Sequence, residues 1–134
     1  MGRSSLLLFF AIFAAAPGFA YQAVQDVLRP AGTQEEALRY LLGVAPNLLG
    51  GVTLSSTLFI IFCEIFPGRS PRFAALAGAG AAIGGLWAWE IAQLPLSRAV
   101  FDVHDLVWTA PGVLLSLAAS RLWFGEGWKK ARSR

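Results

Sequence analysis

Residues 40–63 read YLLGVAPNLLGGVTLSSTLFIIFC, 24 residues between Arg39 and Glu64 with no charged side chain. A helix needs about 20 mostly apolar residues to cross the hydrocarbon core of a bilayer, and this run reaches that length unaided. It does not alternate apolar with polar residues, as a barrel strand must. An open sheet in lipid would leave its edges without hydrogen-bond partners. The stretch therefore reads as a transmembrane helix, placed at about 46–66.

The same test finds three more spans. Arg3 and Asp26 bracket 22 uncharged residues, Arg72 and Glu90 bracket 17, and Asp105 and Arg121 bracket 15. The two shorter runs become long enough if Glu90, Asp102 and Asp105 lie at the membrane rim. The spans expected are then 5–25, 46–66, 73–94 and 101–123: an all-α membrane protein, four helices in a small bundle. Residues 1–125 form one transmembrane domain and 126–134 a basic tail. Composition agrees: of 134 residues, 56% are hydrophobic and 14% charged, against about 25% charged in a soluble domain. Disorder is excluded, because disordered chains are poor in apolar residues. One cysteine, Cys63, excludes a disulfide framework within the chain. The start of the chain, Gly2-Arg3-Ser4-Ser5 before Leu6 to Ala16, also resembles a secretory signal, with Gly18-Phe19-Ala20 as a small-x-small site. The apolar run continues past that site, which favours a retained helix.

Charge sets the orientation. Arg69 and Arg72 lie in the second connection without an acid, and Arg121, Lys129, Lys130, Arg132 and Arg134 mark the tail. Basic loops stay cytoplasmic, so both termini and the 67–72 loop are expected inside, and 26–45 and 95–101 outside. The pI of about 9.6 then reflects topology and contact with anionic headgroups rather than nucleic-acid binding. Trp87, Trp89, Trp123 and Trp128 suit the interfacial aromatic belt.

Within the first outer loop, Thr33-Gln34-Glu35-Glu36 fits a capping box with Thr33 as N-cap. Leu38, Leu41, Leu42 and Ala45 follow at helical spacing, and Gly43 offers a stop. Two readings stay open: a short amphipathic helix on the outer surface, or an early start to the second span. The third span holds Gly78, Gly80, Gly84 and Gly85. Small residues let helices approach closely in lipid, so packing inside the bundle is expected of these glycines and of Gly112. A dimer face on the GxxxG of Gly80 and Gly84 is the alternative.

One stretch carries polar residues where apolar ones would be cheaper. Glu90 and Gln93 share a helix face, as do Asp102 and Asp105 at the start of the next span. Thr109, Gly112 and Ser116 continue the Asp105 face inward, and Arg98 lies in the turn. A charged side chain at a helix centre in lipid costs on the order of 2.5–3.5 kcal/mol. Glu90 thus needs a proton or a hydrogen bond to Gln93 or Arg98, while the positive end of the fourth helix supports Asp102 and Asp105. Asn47 starts the second span on the same side. Two accounts compete: an interhelical polar clamp, or a pocket that holds a lipid headgroup or other amphiphile.

Glu-x-x-Gln, an Arg in the turn, Asp-x-x-Asp and a following Gly resemble the core motif of VanZ-like membrane proteins, over Glu90 to Ser116. Arg98 sits one place early, Thr109 stands where Asn is usual, Ser116 replaces a second Gly, and Pro111 precedes Gly112. The resemblance implies a small multi-span protein of the bacterial inner membrane. The family's best-known member is associated with resistance to teicoplanin-type glycopeptides, an association that does not carry over by itself.

Other chemistry finds less support. His104, between Asp102 and Asp105, does not share a helical face with both, so no metal site and no cofactor is expected. Hydrolysis of a lipid-linked phosphate, with Glu90 as base and Arg98 on the phosphate, is the enzymatic alternative; no GxSxG elbow, P-loop or HExxH is present. An accessory subunit docking through the glycine-rich third helix, or a homo-oligomer, is a third class. Glu64 is expected to pair with Arg69, and Cys63 to be a small core residue.

Overall fold

The computed structural model describes residues 2–93 and 103–125, apart from the side chain of Gln93. Four long helices account for almost all of them: α1 (Arg3–Ala31), α2 (Glu36–Ile65), α3 (Pro71–Gln93) and α4 (Val103–Trp123). All four are long and apolar enough to cross a membrane. Large apolar side chains such as Leu7, Phe19, Leu114 and Leu122 face outward, as lipid-facing positions should.

The helices run longer than the charge-free stretches suggest. α1 and α2, at 29 and 30 residues, reach about 43 and 45 Å. α1 contains two π turns, Ala11–Ala15 and Val24–Leu28. In each the closing amide belongs to the residue before a proline: Ala16 bonds back to Ala11, and Arg29 to Val24. Pro17 and Pro30 have no amide to offer and their rings crowd the preceding turn. The wider turn admits them without ending the helix.

The first connection holds no separate surface helix. α2 runs unbroken from Glu36 through Gly43 and Pro46, so the early start of the second span is what forms. Pro46 is buried, and a helix in lipid keeps its backbone bonds because water cannot replace them. The capping box does not form either. The amide of Glu35 donates to Thr33 Oγ1 at 3.2 Å, and Glu35 itself occupies the N-cap position without a side-chain cap bond. The connection shrinks to residues 32–35, turned by Gly32 at φ +70°, a left-handed conformation that favours glycine.

α2 is the central helix and touches the other three. α1 and α3 run antiparallel to it, and α4 runs parallel. At the end where α1 begins and α4 finishes, Phe9 of α1 meets Phe59 and Phe124 with ring centroids 5.2 and 5.4 Å away. Leu6, Ala74 and Ala75 complete this core, with Cys63 packed against it as a small half-buried residue. Trp123 donates to Ser5 Oγ at 2.9 Å, fixing the start of α1 to the end of α4. The 66–70 turn lies at this same end. Glu64 and Arg69 form no ion pair there: Glu64 is exposed, and the Arg69 guanidinium lies over the Phe73 ring, 5.4 Å from its centroid. In reach of water an exposed pair gains little, and the turn aims the arginine at the aromatic face instead.

Glycine placement corrects the packing expected of α3. A Cβ on Gly78 would lie 2.8 Å from the backbone nitrogen of Phe59, so Gly78 does bring α3 onto α2. Gly80, Gly84 and Gly85 are exposed, with nothing within 4 Å of a Cβ at any of them. The inward small-x-x-x-small series is Ala74, Gly78 and Ala82, all buried. Gly80 is two residues from both Gly78 and Ala82, about 200° around the helix. Trp87 and Trp89 are exposed near the C-terminal end of α3, as belt residues should be; Trp128 and the basic tail lie outside the described residues.

Candidate functional site

The buried residues of α4 are Thr109, Gly112, Val113, Ser116 and Ser120. Four of these five are small or hydroxylic, and they lie on the single face that Asp105 begins. That face meets α2 at backbone distance. A Cβ on Gly112 would lie 2.2 Å from the Leu48 carbonyl oxygen, and one on Gly51 would lie 2.7 Å from the Thr109 carbonyl oxygen. Only glycine fits at either crossing point. Without a hydrophobic drive between helices in lipid, such close approach is what holds them together.

Three polar bonds cross the same interface, two near one end of the bundle and one at mid-depth. At the end of the bundle where α4 begins, the Asn47 side-chain amide donates to Asp105 Oδ1. Beside it Trp108 Nε1 donates to the Tyr40 hydroxyl at 3.1 Å, with the two rings edge to face. At mid-depth the hydroxyls of Ser56 and Ser116 share a hydrogen bond of 2.8 Å, both fully buried. Asp105 sits in the first turn of α4, where the unpaired amides of the helix start favour a negative charge.

Of the residues expected at this site, Asn47 and Asp105 come together. Thr109 is buried one turn below, but its hydroxyl donates to the Asp105 carbonyl at 2.8 Å, so it braces its own helix. Glu90 is half-buried near the end of α3, at the same end of the bundle. None of Glu90, His104 and Asp105 is without a partner. The Gln93 side chain, Arg98 and Asp102 lie outside the described residues. Gly112 belongs to the interface as expected. Among the described residues no group of three His, Cys, Asp or Glu side chains is placed to hold a metal ion.

Tyr40, Ser56 and Gly51 complete the interface, and the residue pattern alone does not select them. Gly51 is visible as half of a Gly-Gly pair, and Ser56 as half of Ser-Ser. Which member faces α4 depends on the parallel register of α2 and α4, which no spacing within either helix encodes.

Depth follows from the contacts. Ser56 stands level with Ser116, Gly18 with Thr53, and Tyr21 with Gly50. Carried outward, these pairs place Gly43 level with the start of α4 and with about residue 28 of α1. The Asn47–Asp105 bond then lies about 3–6 Å below that level, and the first turns of α2 stand about 10 Å above it.

No family model, curated protein or solved structure matches the chain.

Proposed function

We propose that this chain is a VanZ-like protein of a bacterial inner membrane, with both termini cytoplasmic, and that the outer end of its bundle binds the headgroup of a lipid or another amphiphile. The observation that carries the reading is the Asn47–Asp105 bond. It keeps a carboxylate a few ångströms below the rim of the bundle, where an apolar contact would join the helices at lower cost. Glu90 stands at the same end, so two acidic groups sit where a headgroup meets the chain. The orientation rests on Arg3, Arg69, Arg72 and Arg121, which share one end of the bundle, by the rule that basic segments stay cytoplasmic. The reading is of binding, and assigns no bond-making step.

Thermal unfolding of the detergent-purified full chain, titrated with bacterial polar lipid, tests it. The midpoint of the natural protein rises with lipid, and Asp105→Asn and Glu90→Gln insert normally but show a smaller rise. If both variants rise as the natural protein does, or fail to accumulate at all, the outer polar residues are a clamp and the reading fails.

A further inference from the structure

The outward overhang of α1 and α2 forms a groove that the polar residues at Asn47 and Asp105 do not explain. It has a volume of about 290 Å³ and is lined by Arg29, Gly32, Thr33, Arg39, Leu42 and Gly43. Two arginines on its walls come from different helices. Neither is paired with a carboxylate among the described residues. Arg29 Nη1 donates to Gln25 Oε1 at 2.7 Å, and Arg39 Nη2 to the Thr33 carbonyl at 3.5 Å. These neutral acceptors orient the guanidinium groups and leave both charges uncompensated. The acids nearby in sequence do not line the groove: Asp26 receives the amide of Gln22, and Glu35 and Glu36 are exposed.

Both arginines are exposed, so water screens their repulsion, and an anion seated between them would pair with both. A guanidinium presents a planar fork of donors that matches phosphate oxygens. The Gly32 turn and the bare Cα of Gly43 put no side chain in the way; neither has any atom within 4 Å of where a Cβ would be. The same register puts Arg29 about level with the rim of the shorter helices and Arg39 about 6 Å beyond it. We propose that this groove binds a phosphate group, the phosphodiester of an anionic phospholipid headgroup in the outer leaflet or a free phosphate. The site stands apart from the Asn47–Asp105 pair and holds even if that pair is only a clamp.

Thermal unfolding of the full chain in detergent, with defined additives, tests it. Phosphatidylglycerol stabilises the natural protein at about tenfold lower concentration than phosphatidylcholine. Arg29→Gln with Arg39→Gln abolishes that preference. Arg29→Lys with Arg39→Lys keeps part of it, since charge remains and the fork is lost. Arg69→Gln with Arg72→Gln at the opposite end keeps it. Stabilisation by inorganic phosphate at the ionic strength of a chloride control identifies a free-phosphate site; stabilisation by phosphatidylglycerol alone identifies a lipid site. Equal response of the natural protein to both lipids without a phosphate effect overturns the proposal, even if the glutamine variant does not fold. So does a preference that survives the glutamine variant or disappears with Arg69 and Arg72.

Discussion

Asn47 and Asp105 stand 58 residues apart in sequence and share a hydrogen bond across two parallel helices. In a four-span chain the second and fourth helices run the same way, so the outer turn of one meets the outer turn of the other. The pair therefore couples two helices that are not consecutive in the chain. Its strength is measurable. Asn47→Ala combined with Asp105→Ala in a double-mutant cycle should give a coupling of about 0.6–1.7 kcal/mol, the range of interhelical hydrogen bonds in membrane proteins, read by reversible unfolding in detergent micelles.

Gly112→Ala should destabilise the bundle by about 1–3 kcal/mol, as overpacking does. The clash is with the Leu48 carbonyl, which no rotamer change relieves. Gly51→Ala should act in the same direction. Gly80→Ala, on the exposed face of α3, should leave stability unchanged or slightly raised, since alanine favours helix over glycine. Thermal unfolding of the three variants separates inward from outward glycines.

Ser56→Ala and Ser116→Ala each leave one buried hydroxyl without its partner. The double substitution removes both polar groups together. It should therefore cost no more than either single change, because the unpaired group is the expensive one. A double variant as costly as the sum of the singles would show that the two hydroxyls are not bonded to each other.

Topology is tested by cysteine labelling in a Cys63→Ala background. Gln34→Cys, in the 32–35 turn, should react with an impermeant thiol reagent added outside intact cells. Gly68→Cys, in the turn after α2, should react only after the membrane is opened. The reverse pattern would invert the orientation.

Much of the fold is legible in where charges are missing. The runs after Arg3, Arg39, Arg72 and Asp105 each became a helix, and the face of Asp105, Thr109, Gly112 and Ser116 is the buried face of α4. The errors share a cause. Gly43 offered a stop because soluble helices often end at glycine, whereas lipid enforces the backbone bonds of α2 through it. Gly80 and Gly84 read as a packing motif because their spacing is right, but spacing is the same on every side of a helix. Ala74, Gly78 and Ala82 hold the inward side, and alanine draws less notice than glycine. At the site, Asn47 and Asp105 were visible as polar residues in apolar runs. Tyr40 with Trp108, and Ser56 with Ser116, needed the parallel register of α2 and α4.

The central claim is that the outer polar end of the bundle holds an amphiphile rather than only fastening helices. Native mass spectrometry of gently extracted full-length protein tests it most directly. The natural chain should carry a bound lipid that Asp105→Asn, folded and inserted, has lost. Identical lipid adducts on both proteins would contradict the account and leave the Asn47–Asp105 bond as a clamp.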